Sequence, residues 1–247
     1  MNTTNHASVR PNNLLKSARI PRWVYIFPAT LVVAVLAFNI FQPIKVLPRL
    51  TLAPGFSFTN QAGQRLTSED YRSKLALYNF TYTHCGADCE EMVAQMQALR
   101  QRLNNEADLD DLSFALVTIS LDPERDTPAT LREYANRFQP SQDNNISWDF
   151  IAGDPLRTKY VVGGGFGLYY EKETVDTGNE ADYRIKFAPR FVLVDGWGII
   201  RAMYLTDTLD TERVIRDIGY LTDEVRNSKG IARIAYEGAH LFKCYPY

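Results

Sequence analysis

Twenty-two consecutive residues without a charge, Trp23 to Ile44, constrain this chain more than any other feature. Their core reads Trp23-Val-Tyr-Ile-Phe-Pro-Ala-Thr-Leu-Val-Val-Ala-Val-Leu-Ala-Phe-Asn-Ile-Phe41. A helix of about 20 apolar residues crosses a bilayer core. Pro28 falls in the first turns, where a missing N–H matters least. Trp23 and Tyr25 suit the lipid–water interface. Arg10, Lys16, Arg19 and Arg22 precede the run, and Lys45 and Arg49 follow it. The positive-inside rule then predicts a cytoplasmic basic tail over 1–22, a transmembrane anchor over 23–44 and an exported body. The run is long for the apolar part of a leader, and no small-x-small site follows it, so the anchor is expected to stay uncleaved. No Arg/Ser-rich transit segment precedes it, which points to a bacterial inner membrane with the body on the periplasmic side. Pro43, Pro48, Pro54 and Gly55 predict a linker over 45–55 that lifts the body off the membrane.

The charge balance supports this division. Residues 1–50 hold six Lys or Arg and no acid, leaving 21 basic against 29 acidic groups in the rest. The near-neutral net charge of −2 argues against nucleic acid as the main partner, because phosphate binding needs a basic face. At 45% hydrophobic and 23% charged, the chain is no disordered, collagen-like or coiled-coil polymer.

The body alternates strand and helix patterns. Leu75–Tyr82 and Leu112–Leu121 read as buried strands. Cys89–Leu103 reads as an amphipathic helix, with Met92, Val93, Met96 and Leu99 at helical spacing. Thr127-Pro128 opens a second helix running to about Phe138. Trp148–Ile151 is a short strand and Pro155–Val162 a short helix. Phe191–Val194 and Ile199–Leu205 form a hairpin around Asp195-Gly-Trp-Gly198. Thr211–Leu221 is a last helix. This order predicts an α/β domain with a mixed sheet flanked by helices.

The sharpest chemical feature is Thr83-His84-Cys85-Gly86-Ala87-Asp88-Cys89, at a strand-to-helix junction. Two sulfurs four residues apart can meet across one helical turn. A helix N-terminus lowers a thiol pKa, giving a better nucleophile and a better ligand. Thiolates select soft ions such as Cu(I) or zinc. The pair reads as a redox couple, a soft-metal site, both, or a structural disulfide.

Over residues 52–221 the body resembles the Sco/SenC family. The carrying segments are Asn79-Phe-Thr-Tyr-Thr-His-Cys-Gly-Ala-Asp-Cys89, Ile119-Ser-Leu-Asp-Pro-Glu-Arg-Asp-Thr-Pro128, Trp148-Asp-Phe-Ile-Ala-Gly-Asp154, Phe166-Gly-Leu-Tyr-Tyr-Glu171 and Asp182-Tyr183. The resemblance implies a thioredoxin-like fold over 56–225 behind a membrane anchor. It also implies service in copper-site assembly of cytochrome c oxidase. By the same resemblance Cys85 and Cys89 bind Cu(I) and cycle through a disulfide. One departure stands out. The family's third copper ligand is a His a few residues after the Asp-Tyr pair, and counting on from Asp182-Tyr183 puts Phe187 there. Phe cannot ligate a metal. The remaining His are His6, His84 and His240.

His240 and Cys244 lie in a C-terminal extension over 226–247. His240 is a candidate substitute ligand. Tyr236, Phe242, Tyr245 and Tyr247 are candidate anchors of a docking tail, and Cys244 is a free thiol worth noting. Gly163-Gly-Gly-Phe-Gly167 lacks dinucleotide spacing and reads as a flexible loop beside Tyr169 and Tyr170. Pro189 precedes a strand, where many thioredoxin folds carry a cis proline; sequence leaves the isomer open. Asn145-Ile-Ser147 fits a glycan acceptor. Tyr78 and Tyr82 fill positions where a peroxiredoxin would want Pro and Thr.

Two functions follow. One is copper delivery or thiol–disulfide maturation of a respiratory electron-transfer complex, acting on its copper subunit. The other is a non-catalytic accessory subunit of such a complex, built on a Sco-like domain that has lost its full copper site.

Overall fold

The computed structural model describes residues 21–41, 45–106, 113–138, 146–175, 182–227 and 230–242. It divides into two compact units, Met1–Pro43 and Ile44–Tyr247. In the first unit, helix α1 spans Trp23–Phe41, 19 residues with Pro28 inside. Trp23, Phe27, Leu31, Val33 and Leu36 on it are exposed. Among the described residues no helix is long and apolar enough to cross a membrane. The 23–44 span expected from sequence therefore corresponds to a shorter described helix. Residues 42–44 and the basic tail, with His6, Arg10, Lys16 and Arg19, lie outside the described residues.

The second unit opens with strands β1 (Thr51–Leu52), β2 (Ser57–Asn60) and β3 (Arg65–Thr67). The alternation follows: β4 (Lys74–Thr81), α2 (Ala87–Glu106), β5 (Ser113–Ser120), α3 (Pro128–Phe138) and β6 (Ser147–Ala152). Helix α4 (Pro155–Lys159) runs into a π-helical turn over Tyr160–Gly165. Then come β7 (Tyr170–Thr174), β8 (Tyr183–Phe187), β9 (Phe191–Val194), β10 (Ile199–Tyr204), α5 (Thr211–Asn227) and α6 (Ile231–Phe242).

One sheet carries eight strands in the order β1-β10-β9-β4-β5-β6-β2-β3, and β7 pairs only with β8. Strands β4, β5 and β6 are parallel, so α2 and α3 serve as the crossovers. Burial on both faces explains why β4 shows no alternation of apolar and exposed polar residues: seven of its eight residues are buried, Asn79 and Thr81 among them. Helix α2 lays Cys89, Met92, Val93, Met96, Leu99 and Leu103 into the core. Each such fully buried side chain contributes about 1.5–3 kcal/mol. The mixed α/β sheet flanked by helices agrees with the sequence reading.

Three expectations are corrected here. Residues 45–55 are no free linker: Val46 and Leu47 are buried, and Thr51–Leu52 pairs with β10. The glycine run is no loose loop, because Gly163–Gly165 complete the π-helical turn. A Cβ on Gly165 would overlap the Pro54 ring, so glycine is required there for close packing. The 225/226 boundary falls inside α5. Beyond it, α6 folds back onto the body and buries Ala239, while Tyr245 and Tyr247 lie outside the described residues.

Candidate functional site

Strand β4 ends at Thr81, and Tyr82–Gly86 turn the chain into α2. Gly86 has φ +92°, a region that favours glycine, and its carbonyl accepts from Glu90 N–H to start the helix. Cys89 therefore sits in the first turn of α2, where the helix dipole favours a thiolate. Asp88 and Glu90 share that turn. Cys85 and Cys89 are joined in a disulfide with Cα atoms 5.8 Å apart. Cys89 is 1% exposed, whereas Cys85 is only partly buried. Cys89 is thus the more shielded of the two residues, and Cys85 packs against the edge of the core.

The Asp122–Asp126 run builds the wall behind this loop. Asp126 is buried, and both its oxygens accept hydrogen bonds. Thr83 N–H donates to Oδ2 at 3.1 Å, Thr83 Oγ1 to Oδ1 at 2.5 Å and Ser120 Oγ to Oδ2 at 2.5 Å. Burial raises the Asp126 pKa, against the opposing hydrogen bonds from Ser120 and Thr83. The carboxylate thus staples the cysteine loop to the end of β5. Asp126→Ala is expected to lower stability by about 1–3 kcal/mol, because it leaves buried donors unpaired. It should also speed reduction of the Cys85–Cys89 bond by a small dithiol. Denaturant melts and a reduction time course check both.

Asp122 holds the other side. Tyr183 OH donates to its Oδ1 at 2.7 Å. Arg125 stacks its guanidinium 3.4 Å from the centroid of the Tyr183 ring and donates to the Tyr183 carbonyl. Burial, and then the Asp122 carboxylate, push the Tyr183 hydroxyl pKa well up. Lys172 on β7 reaches Glu124 at 2.6 Å. Ile185 N–H donates to Tyr82 OH at 3.0 Å, and Tyr82 OH lies 3.4 Å from Ile185 O. Together these bonds pin the β7–β8 hairpin over the cysteine loop. Phe187 ends β8, with its ring 6.5 Å from the Tyr82 ring, three residues before Cys85. The position expected to carry an imidazole thus carries a phenyl ring beside the loop. Among the described residues no group of three or more His, Cys, Asp or Glu could hold a metal ion. A three-donor copper site does not fit these residues.

The candidate His ligands are elsewhere or differently engaged. His84 is exposed and its Nδ1 lies 3.0 Å from Thr83 Oγ1. His240 does not substitute for the missing donor. Its Nε2 lies 3.0 Å from Glu224 Oε1, and Glu224 bonds Arg201 on β10. Through Ile200↔Val194 and Val194↔Ala76 that group belongs to the N-terminal half of β4. Cys85 follows the C-terminal end of the same strand, so the two lie at opposite ends of the sheet. Pro189 is trans, since the described residues contain no cis peptide bond. Asn145 and Cys244 lie outside the described residues. Sequence reasoning missed Thr83, Ser120 and Tyr183 as supports of the loop; the only signal was the Asp-Pro-Glu-Arg-Asp run itself.

A central parallel βαβ unit, a flanking hairpin of the main sheet and a Cys-x3-Cys pair at a strand-to-helix junction define a thioredoxin-like thiol protein. The SCO1/SenC family model matches residues 46–223, and the chain belongs to that family. A Bacillus subtilis protein described as "SCO1 protein homolog" is 33% identical over 98 residues, 40% of this chain and 47% of that protein. The chain thus spans under half the length of that relative. Arabidopsis thaliana ScoI, solved with copper bound, has a TM-score of 0.57 at 23% identity, covering 71% of this chain and 98% of that one. BsSco, a member of the Sco family of cytochrome c oxidase assembly proteins with a disulfide switch, has a TM-score of 0.56 at 23% identity, covering 72% and 98%. At these identities the structural likeness shows the fold.

Proposed function

We propose that this chain is a membrane-anchored Sco-family protein that matures a copper-bearing subunit of a membrane electron-transfer complex by thiol–disulfide exchange. The observation that carries the reading is the unequal burial of the two cysteines in a pair whose neighbouring third-ligand position is Phe187. The less buried Cys85 is the one a partner can reach, and the buried Cys89 is suited to resolve. In the exchange, the Cys85 thiolate attacks one sulfur of a partner disulfide and displaces the other as a thiolate. The Cys89 thiolate then attacks Cys85 Sγ and releases the second partner thiolate. The partner gains two electrons and two protons, Cys85–Cys89 becomes a disulfide, and an external dithiol must reduce it again. Reduced copper-site cysteines are the form a soft ion binds. Once re-reduced, Cys85 and Cys89 of this chain offer two thiolates for Cu(I), so copper delivery is the companion activity, with Cu(I) as cargo.

Anchoring is supported by the uncharged run Trp23–Ile44, its basic flank and the exposed apolar side chains of α1. The basic residues before the run support an N-terminus in the cytoplasm and a body outside it.

The test uses the full chain in detergent with a disulfide-bonded peptide that carries a copper-site pair of cysteines. Cys85→Ser is expected to cut exchange by at least about 10³-fold, because the attacking thiolate is gone. Cys89→Ser should accumulate the mixed disulfide. Full activity in Cys85→Ser would favour the accessory-subunit reading, for which Phe187 is the supporting observation.

A further inference from the structure

Of the two aspartates that bound the Asp122–Asp126 run, one has a cation and the other has none. Asp122 pairs with Arg125 at 3.7 Å and accepts from Tyr183 OH at 2.7 Å. Asp126, 1% exposed, forms no ion pair among the described residues. Every donor it holds is neutral: Thr83 N–H, Thr83 Oγ1 and Ser120 Oγ. A buried carboxylate without a cation is costly, and a proton relieves the cost.

The charged groups around Asp126 are engaged elsewhere. Glu124 reaches Lys172 at 2.6 Å. Asp154 and Arg157, across a cavity of about 420 Å³, pair with each other at 3.2 Å. Glu90 of α2 pairs with Arg137 of α3 at 2.6 Å. Tyr134 of α3 presents a neutral hydroxyl, since burial pushes its pKa up to about 12. Asp122, of like sign, adds to burial in raising the Asp126 pKa. The hydrogen-bond partners suit either protonation state, because the Thr83 and Ser120 hydroxyls can turn to donate or to accept. Thr83 Oγ1 also lies 3.0 Å from Nδ1 of the exposed His84, which links the buried carboxyl to the surface.

The cysteine loop closes tightly over this point. Cys85 N–H donates to the Tyr82 carbonyl at 3.2 Å, so Tyr82–Cys85 is a single turn. Cys85 then lies at most about 7 Å of chain beyond Thr83. The turn delivers Cys85 to the N-terminal end of α2, whose dipole favours a thiolate. Reduction sets that thiolate near a buried carboxylate, two like charges of which one takes up a proton. Cys85 has the helix dipole, and Asp126 has no cation.

We propose that Asp126 is the proton store of the cysteine pair, ionised in the disulfide form and protonated when the pair is reduced, so that Cys85 stays a thiolate; this rests on the exchange reading above. An external dithiol gives two electrons and two protons, and the Cys85–Cys89 bond breaks. One proton goes to the Cys89 sulfur and the other to Asp126. In exchange with a partner disulfide, both protons pass to the two thiolates of the partner.

The experiment records reduced-minus-oxidised infrared difference spectra of the full chain in detergent, with a soluble dithiol as reductant, in light and heavy water. Reduction is expected to bring up the C=O band of a protonated carboxyl, shifted in heavy water, absent in Asp126→Asn and displaced in Asp126→Glu. From neutral pH up to the ionisation of the dithiol, the equilibrium constant of the parent chain against that dithiol should not change with pH, since both couples take up two protons. In Asp126→Asn it should change about tenfold per pH unit, because the reduced pair holds one proton fewer. No carboxyl band in the parent chain, a band that survives in Asp126→Asn, or a constant in that variant as flat as the parent's would overturn the proton store and leave exchange by Cys85 standing. Exchange undiminished in Cys85→Ser would instead overturn the exchange reading itself.

Discussion

Arg201→Ala is expected to destabilise the body by about 3–5 kcal/mol, the cost of stranding buried charge. Arg201 is 3% exposed and donates to Asp195 Oδ2 at 2.9 Å and Glu224 Oε2 at 2.7 Å. It also ties down the Leu47 and Pro48 carbonyls. Removing it leaves two buried carboxylates without their shared cation and two carbonyls without a donor. Lysine should recover only part of the loss, because an ammonium cannot reproduce the guanidinium fork. Urea denaturation of the full chain in detergent, followed by far-UV dichroism, measures both variants. A loss below about 1 kcal/mol, the range of exposed ion pairs, would show that the network is solvent-screened.

The same network gives the fold a pH dependence. Burial alone would raise the Glu224 pKa, but hydrogen bonds from His240 and Arg201 outweigh it and hold the group at about 2, against an ordinary 4.5. A carboxyl depressed in the folded state stabilises above its unfolded pKa. That contribution is complete above about pH 4.5 and is lost as pH falls toward 2. Glu224→Gln is expected to flatten the acid limb of the stability profile in this window. An unchanged limb would place the acid sensitivity in other carboxyls.

Phe187→His is the second large effect, and it is a gain. Phe187 packs beside Tyr82 at the base of the Cys85 loop, with ring centroids 6.5 Å apart, on the hairpin that Asp122 and Tyr82 hold in place. An imidazole there would add a third donor to two thiolates. The reduced variant is expected to bind Cu(II) with an intense sulfur-to-copper charge-transfer band that the parent chain lacks. Its affinity should rise by at least about 100-fold, since imidazole suits copper well. Titration against a competing chelator reads the affinity, and absorption reads the donor set. Equal affinities would mean that position 187 does not face the sulfurs.

How much of the molecule is legible in its sequence depends on the range of the interaction. The strand-to-helix junction at Cys85 and Cys89 was legible because a buried strand and an amphipathic helix each announce themselves within about ten residues. The spacing left a redox couple, a soft-metal site and a structural disulfide open; the structure joins Cys85, in the turn before α2, to Cys89 in its first turn. Phe187 was legible as a missing donor, but only through the family resemblance. The folding-back of residues 45–55 was not legible, since prolines and a glycine describe a packed extended segment as well as a free one.

What the sequence alone determined are the apolar run of residues 23–44, the α/β alternation and the cysteine pair at the head of a helix, all set by local periodicity. Only the tertiary structure decided what stands around them. Thr83 meets Asp126 across 43 residues, Tyr82 meets Ile185 across 103, and Arg201 meets Leu47 across 154. The same structure moved His240 from candidate ligand to partner of Glu224. Such pairs depend on sheet order and strand register, which bring distant segments into hydrogen-bond range and leave no periodic trace in the chain.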